Sequence, residues 1–393
     1  MSTGADATAA RLADRAARVV ARRVPGRGDR WSPLAAAPTE PGLGPEDLHA
    51  PADLPGGLAG FLAAAAPAPA GPEGVLDLRG VRCDVGRVDG IAAGALRGRW
   101  GRPLRGPGGL LGPEVPGRAA GRPRRTLTSD VPVVVLDPRA RSAENYFHLH
   151  VDALASRWLV ERTVGDVGPV RWLVADGPAA WRAEALTLAG IAADVVPLAD
   201  VDRVLAPRFL VPVRGLGSRA VPAWTVTALR ATAGPPPDPA GHGRLLHVTR
   251  LDAPRRRVRG EEALAARLAG LGFSGVTLTG MPVAEQRARF AAADVIVAAH
   301  GAALTNLAWA RPGATVVELL PAARPNLAYR RLARQAGVRH VGLVCPPADA
   351  ASRSGPAAGS GAAAGSDDGA HGEVAVDVEA AVRLVVGLLD APA

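Results

Sequence analysis

The sequence predicts an α/β protein with doubly wound parallel sheets, and two patterns in the 393-residue chain support this. Short runs rich in valine, isoleucine and leucine, such as VPVVVLD at 131–137 and DVIVAAHG at 294–301, alternate with longer segments whose apolar residues have helical spacing. Buried parallel strands are typically such continuous apolar runs, joined by crossover helices. The proline-rich stretch AGPPPDPAGHG at 233–243 interrupts the alternation, as a stiff spacer between two domains would.

Before the spacer, the pattern is clear only from residue 131 onward. Residues 98–125 are rich in glycine, proline and arginine, and we expect them to be irregular. The predicted elements that follow are strands at 131–137, 170–176 and 193–198, with helices at 144–163 and 179–191.

After the spacer, strands and helices alternate with little interruption. The predicted strands are 244–250, 273–280, 294–301, 314–320 and 339–345, and the predicted helices between them are 261–272, 283–293, 302–310 and 326–337. A last strand and helix follow in EVAVDVEAAVRLVVGLL at 373–389.

We therefore predict four regions and one insertion. These are a poorly defined N-terminal region (1–70), an α/β domain (71–235), a linker (236–243), a C-terminal Rossmann-like domain (244–393), and a low-complexity insertion within that domain (346–372).

The charge composition excludes several chemistries. All 46 basic side chains are arginine, so neither a Walker-type phosphate loop nor Schiff-base catalysis is available. The formal net charge of +9 suits an anionic partner, but the arginines are spread along the chain without interleaved aromatic residues. We predict no nucleic-acid partner.

The predicted location is the cytoplasm, with the inner face of a membrane as an alternative within it. Cys83 and Cys345 have no metal-ligand spacing and favour a reducing compartment. No apolar run reaches the ~18 residues of a membrane span. The arginine-rich segment 1–24 has no apolar core of signal-peptide type, which leaves a solvated helix or a peripheral membrane contact as its alternatives.

Candidate binding residues gather at the predicted carboxyl ends of strands in the C-terminal domain, where open parallel sheets bind ligands. His300 and Gly301 end one strand and precede a short helix whose free N–H groups attract phosphate. Arg250 ends another strand, and Glu318 is a candidate acceptor for ribose hydroxyls. The full candidate set is Arg250, Arg255, Arg256, His300, Gly301, Ala302, Ala303, Thr305, Asn306 and Glu318.

Each candidate also has a structural alternative. His300 could be a strand-end histidine bonded to a carbonyl, Glu318 could pair with an arginine, and Asn306 could fix its own turn. Asp200 and Asp202 have the D-x-D spacing of metal-dependent sugar transferases, but no supporting ligands accompany them. We predict no metal cofactor.

The block 245–345 resembles glycosyltransferase family 61. The similar stretches are LLHVTRLDAPRRRVRGEEAL, VAEQRARFAAADVIVAAHGAALTNLAWARPGATVVELLP and YRRLARQAGVRHVGL. In the first half, ENYFHLHVDAL resembles the F-H-x-x-x-D segment of the family through Phe147, His148 and Asp152. Two positions depart from the family pattern, because Gly260 stands where asparagine is usual and Ala303 where glycine is usual.

The resemblance implies an inverting sugar transferase of GT-B type, with two Rossmann-like domains facing across a cleft. The domain at 244–393 would then hold the nucleotide-diphosphate sugar, and the domain at 71–235 the acceptor. Either His148 or Asp152 would be the base that takes the acceptor proton, and the two share a face of the predicted helix.

The leading functional prediction is a bacterial hexosyl- or pentosyltransferase of cell-envelope polysaccharide biosynthesis. Its partners would be a nucleotide-diphosphate sugar and a glycan or glycoconjugate acceptor, with no cofactor. The alternatives are a sugar-nucleotide epimerase or hydrolase on the same plan, and a non-catalytic nucleotide-binding or scaffold protein. A dehydrogenase is disfavoured because no predicted strand is followed by G-x-G-x-x-G.

Overall fold

The protein is described here from a computed structural model. The residues that the structure describes are 30–34, 45–65, 73–88, 91–98, 104, 125–214, 221–236, 238–252, 257–348 and 373–391. Three predicted segments lie wholly or mostly outside the described residues: the arginine-rich segment 1–24, the insertion within 346–372 apart from 346–348, and most of the irregular segment 98–125.

The chain divides into two compact units. One comprises Met1–Glu40 with Pro67–Pro235, and the other comprises Pro41–Ala66 with Pro236–Ala393. The boundary between Pro235 and Pro236 falls in the proline-rich stretch.

The strands of the described residues are, in chain order, β1 (Arg30–Pro33), β2 (Leu48–His49), β3 (Glu73–Leu78), β4 (Arg82–Val88), β5 (Ile91–Arg97), β6 (Thr126–Thr128), β7 (Val133–Asp137), β8 (Arg171–Val174), β9 (Arg203–Leu205), β10 (Phe209–Arg214), β11 (Leu245–Val248), β12 (Val258–Arg259), β13 (Ser274–Val276), β14 (Val295–Ala299), β15 (Thr315–Pro321), β16 (Arg339–Cys345) and β17 (Val374–Ala375).

The α-helices are α1 (Gly57–Ala65), α2 (Ala140–Glu144), α3 (Ala155–Val164), α4 (Ala180–Leu188), α5 (Thr225–Ala233), α6 (Glu261–Gly270), α7 (Val283–Ala292), α8 (Ala328–Ala336) and α9 (Val378–Leu389). A π-helical segment at His148–Leu154 leads into α3, and 3₁₀ helices occur at Ala192–Asp194, Leu198–Asp200 and Ala302–Trp309.

The described residues of the first unit form two sheets, and neither is purely parallel. The larger has the strand order β1-β3-β10-β7-β8, in which only β10, β7 and β8 run parallel. The smaller has the order β5-β4-β9-β6, with β4 antiparallel to both of its neighbours. The prediction of a doubly wound parallel sheet in this half is therefore wrong, because β3, β4 and β5 form antiparallel pairs that an Ala- and Gly-rich sequence did not reveal.

Two further predictions for the first unit need correction. Residues 193–198 do not form a strand; they contribute one isolated bridge, between Val195 and Trp172, next to 3₁₀ turns. Pro197 lacks the N–H that a central strand would donate, which favours the turn. The predicted helix at 144–163 exists, but its first part is π-helical rather than α-helical.

The second unit matches its predicted α/β pattern. Its six-stranded sheet has the order β13-β11-β14-β15-β16-β2, and all neighbours run parallel. Apolar side chains of β14, β15 and β16 pack with those of α6 and α9 in one core, which includes Val297, Val317, Val341, Leu264 and Val385. The mixed α/β class that the sequence predicts is confirmed.

A segment from the N-terminal region completes this sheet. Residues 48–49 pair with Gly342 and Leu343 as the edge strand β2. Phe61 of α1 packs with Leu48 and with Leu320 in a small apolar cluster. The Ala-rich composition of residues 1–70 gave no sign of this strand.

Candidate functional site

The strand order of the second unit creates a topological switch point between β11 and β14. From β11 the chain proceeds to β13, which pairs with one edge of β11, and then to β14, which pairs with the other edge of β11. In open α/β sheets, ligands bind outside the carboxyl ends of the strands at such a point. The residues just after β11 and β14 include Arg250, His300 and Gly301.

Arg250 and Gly301 contact each other at this switch point. A Cβ atom on Gly301 would lie 2.7 Å from Nη1 of Arg250, so the absence of a side chain lets the guanidinium lie there. The backbone N–H of Arg250 donates to Oε1 of Glu261 at 2.7 Å, and Glu261 is buried at the start of α6. Burial raises the pKa of Glu261, although the hydrogen bond from Arg250 opposes this rise. The guanidinium of Arg250, which follows β11, thus lies against Gly301, which follows β14.

The turn before α6 explains one departure from the family pattern. Gly260 has φ +90°, in the left-handed region that favours glycine and also tolerates asparagine. Glycine therefore substitutes here for the usual asparagine without backbone strain.

His300 belongs to a hydrogen-bonded network with a buried carboxylate. Its Nδ1 lies 2.6 Å from Oε1 of Glu318, and Oε2 of Glu318 lies 2.6 Å from Nε2 of His340. Glu318 is fully buried and His340 is nearly so, whereas the His300 side chain remains 17% exposed. Burial opposes ionisation of Glu318, but the two histidines outweigh it, and the pKa of Glu318 lies below its ordinary value. The ring of Tyr329 stands edge-on to that of His300, with centroids 5.1 Å apart.

The helix that follows Gly301 buries its two polar side chains, Thr305 and Asn306. Ala302 and Ala303 are half-buried in the 3₁₀ helix, whereas Thr305 and Asn306 are fully buried. The amide of Asn306 donates to Oε1 of Gln286 and to the carbonyl of Ala303, each at 3.1 Å. Asn306 thereby fixes the turn, one of the two roles that the sequence left open.

The arginine run after β11 is only partly described. Arg255 and Arg256, both predicted to bind the donor, lie outside the described residues. Arg257 is exposed. It lines, together with Arg250, a depression of about 380 Å³ beside the start of α6.

The second predicted cluster, His148 with Asp152, lies in the first unit. Nδ1 of His148 is 2.9 Å from Oδ2 of Asp152. Asp152 is buried, whereas the side chain of His148 is 21% exposed. Oδ1 of Asp152 also lies 2.8 Å from Nη1 of Arg214, and Nη2 of Arg139 lies 3.6 Å from Oδ2. Asp152 therefore faces three basic side chains.

The π-helical segment positions this pair. Asn145 precedes it, and its Oδ1 accepts hydrogen bonds from the backbone N–H groups of Phe147 and His148 at 2.9 and 3.4 Å. Isolated π turns occur frequently at functional sites. His150 points elsewhere, since its ring stacks on Tyr146 and its Nδ1 bonds the carbonyl of that residue.

The two aspartates with D-x-D spacing, Asp200 and Asp202, lie in local structure and, among the described residues, not in a cluster of metal ligands. Asp202 accepts the backbone N–H of Arg125 at 2.9 Å, and Asp200 lies in a 3₁₀ turn. No cluster of three or more potential metal ligands occurs in the described part of the chain. Within that same part, no helix is long and apolar enough to cross a membrane. Burial raises the pKa of Cys83 and of Cys345 to about 12, which keeps both thiols protonated.

Three residues at these sites were not identified from the sequence. Arg139 and Arg214 come from different parts of the first unit, and His340 comes from a strand beyond β15. Nothing in their local sequence points to a site. Only the fold brings them to Asp152 and Glu318.

A family model matches part of the chain. Residues 146–317 match the family model described as Glycosyltransferase 61, over less than half of the chain. The matched segment contains His148, Asp152, Arg250 and His300, and it ends just before Glu318. No curated protein matches the sequence. The match confirms the resemblance to this family.

Proposed function

From the premise that residues 146–317 are a glycosyltransferase 61 segment, we propose that the protein moves a sugar from a nucleoside-diphosphate donor to a hydroxyl of a glycan or glycoconjugate. We propose an inverting reaction that needs no metal, on a GT-B-type plan, by a hexosyl- or pentosyltransferase. The observation that carries this proposal is the contact of Arg250 with Gly301 at the switch point.

Donor binding is assigned to the second unit. The guanidinium of Arg250 can donate two parallel hydrogen bonds to a phosphate oxygen pair. Gly301 leaves room for that guanidinium, and the backbone N–H groups at the start of the 3₁₀ helix add donors. These groups stabilise the negative charge that develops on the diphosphate as it leaves, which is the part of the reaction where electrostatic stabilisation matters most.

Proton removal is assigned to the first unit. Asp152 is ion-paired with Arg214 and accepts a hydrogen bond from Nδ1–H of His148, so this carboxylate is a poor proton acceptor. His148 engages Asp152 through Nδ1, which leaves Nε2 to take the proton of the acceptor hydroxyl. As that proton moves to Nε2, the acceptor oxygen bonds to the anomeric carbon and the bond to the diphosphate breaks on the opposite face, which inverts the configuration.

Thermal unfolding with a ligand panel tests the donor assignment. Saturating ligand at ~100 times its dissociation constant stabilises a native state by about 2.7 kcal/mol. We expect one of UDP, GDP, ADP, CDP and TDP to raise the Tm, equally with and without EDTA. The shift should be lost in Arg250→Gln and kept in Arg267→Gln, because Arg267 is an exposed residue of α6.

Two outcomes would count against the proposal. If no nucleotide shifts the Tm of the wild-type protein, the donor assignment is wrong, and the result favours the alternative of a non-catalytic scaffold protein. If the shift requires a divalent cation, the nucleotide site stands but the metal-independent mechanism does not.

A further inference from the structure

The buried carboxylate of Glu318 lies at the centre of a three-residue network spread over three neighbouring strands of the second unit. His300 follows β14, Glu318 lies in β15 and His340 lies in β16. Each carboxylate oxygen is 2.6 Å from a ring nitrogen of one histidine. The side chain of Glu318 has no exposed surface, so a bound ligand would meet His300 rather than Glu318.

The hydrogen bonds define where the protons lie. An ionised carboxylate can only accept, so Nδ1 of His300 and Nε2 of His340 must both carry a proton. Nδ1 of His340 is buried and has no hydrogen-bond partner among the described residues. A proton at that atom would be a buried, unpaired donor on a charged ring, which is costly. His340 is therefore the neutral member of the network.

Within the network, His300 is the one residue left that can carry the positive charge to balance Glu318. A buried carboxylate without a cation is strongly unfavourable. Since His340 is neutral, the cation is His300, which holds protons on both ring nitrogens. Among the described residues, the ring of Tyr329 from α8 faces His300, and the guanidinium of Arg250 lies at the adjacent Gly301. Arg250 is a like charge, and an anion bound between the two would relieve that repulsion.

We propose that Glu318 and His340 are positioning residues that hold His300 as an imidazolium, whose Nε2–H donates to an oxygen of the donor diphosphate. This inference rests on the proposed donor site and assigns Glu318 a role through His300 in place of a ribose contact. No covalent bond changes at His300. The proton bound at Nε2 stabilises charge on the leaving diphosphate beside Arg250.

A direct test reads the histidine rings of the free wild-type protein. With nitrogen-15-labelled histidine, long-range proton–nitrogen spectra distinguish the neutral tautomers from the imidazolium. Spectra of His300→Gln and His340→Gln assign the two rings among the eight histidines of the chain. At neutral pH we expect His300 protonated on both nitrogens and His340 protonated on Nε2 alone. A neutral His300 ring would overturn the inference, whether or not any nucleotide binds.

A second test measures affinity for the nucleoside diphosphate that shifts the wild-type Tm. We expect Glu318→Gln to weaken binding by roughly tenfold or more, since it removes the charge that holds the imidazolium. His340→Leu should weaken binding as well. His340→Gln should restore most of the wild-type affinity, because the glutamine amide replaces the Nε2–H donor. Wild-type affinity should fall as pH rises, and this dependence should be weaker in Glu318→Gln.

The outcomes separate the inference from the function that it extends. If the wild-type protein binds a nucleotide but Glu318→Gln binds it equally well with the same pH dependence, the positioning role is wrong and the donor site stands. If wild-type protein binds none of the panel, the donor site fails, and the ring spectra alone decide the charge of His300. If Glu318→Gln does not fold, the two His340 variants carry the comparison.

Discussion

The two histidine–carboxylate pairs of this protein look alike in isolation but differ in what else each carboxylate contacts. In the first unit, Asp152 bonds His148 and also Arg214, with Arg139 nearby. In the second unit, Glu318 bonds His300 and the neutral histidine His340. Arginine already neutralises Asp152, whereas Glu318 must obtain its counter-charge from His300. A histidine–carboxylate pair is thereby suited to accept a proton in the first unit and to hold one in the second.

The pairs also differ in how the chain assembles them. His148 and Asp152 are four residues apart in one helical segment, so their contact depends on local structure. His300 and Glu318 are 18 residues apart and meet only when β14 and β15 pair. A local pair survives small shifts of the sheet, while a pair across strands depends on register.

The strongest way to break the comparison is His148→Gln. Loss of a general base lowers the rate by about 10²- to 10⁴-fold, so we expect kcat to fall by that factor while the nucleotide-induced Tm shift stays unchanged. The measurement is steady-state transfer at saturating donor, with His49→Gln as control because His49 is exposed in the second unit. Full activity in His148→Gln would show that His148 is not the base.

Arg214→Met tests the neutralising role of arginine. The guanidinium and Asp152 are both largely buried, and removing one partner of a buried pair costs about 3 kcal/mol or more of unfolding free energy. Urea unfolding measures this. The control Arg267→Met breaks the exposed pair with Glu379 and should cost about 1 kcal/mol or less. Equal effects of the two substitutions would show that Asp152 does not depend on Arg214.

Much of the second unit could be predicted from its sequence, and most of the first could not. Runs such as DVIVAAHG and ATVVELL combine β-branched residues with a clear end, and they form β14 and β15. The stretch IAAGALR has the same apolar character, but three of its seven residues are alanine, which has a weak strand preference, and its role as β5 was missed. Composition bias therefore removed the signal where small residues pack closely against a neighbouring element.

The candidate sites divide in a similar way. Sequence reasoning identified His148, Asp152, Arg250 and His300, because rare or charged residues follow strands or share a helix face. It did not find His340, and it did not show that Glu318 lies between two histidines. Both depend on which strands become neighbours, and the order β14-β15-β16 is a tertiary fact that periodicity does not encode.

His247 provides a reference for a buried histidine that is held neutral. It lies in β11, and burial lowers its pKa to about 4. Because the folded pKa lies below the unfolded value of about 6.5, the unfolded state binds the proton first and stability falls as pH drops through that window. We expect a loss of about 3 kcal/mol between pH ~6.5 and ~4. The loss should be absent from His247→Leu when unfolding is measured across the same range. Equal pH slopes in the two proteins would contradict it.

Gly301→Ala gives the smallest and most selective effect. Gly301 has an extended backbone, with φ 172°, so alanine introduces no backbone strain. The new methyl would instead meet the mobile end of Arg250, which can move away. We therefore expect unfolding free energy to change by less than about 0.5 kcal/mol, while nucleotide affinity falls by about tenfold or less because Arg250 leaves the switch point. Gly270→Ala is the matched control, since a Cβ there meets nothing within 4 Å. Isothermal titration distinguishes the two variants, and kcat at saturating donor should change little, because the proton acceptor lies in the other unit. Equal affinity in both variants would show that the diphosphate does not bind beside Arg250. The imidazolium of His300, which we contrast with the proton-accepting His148, would then need a different anion as its partner.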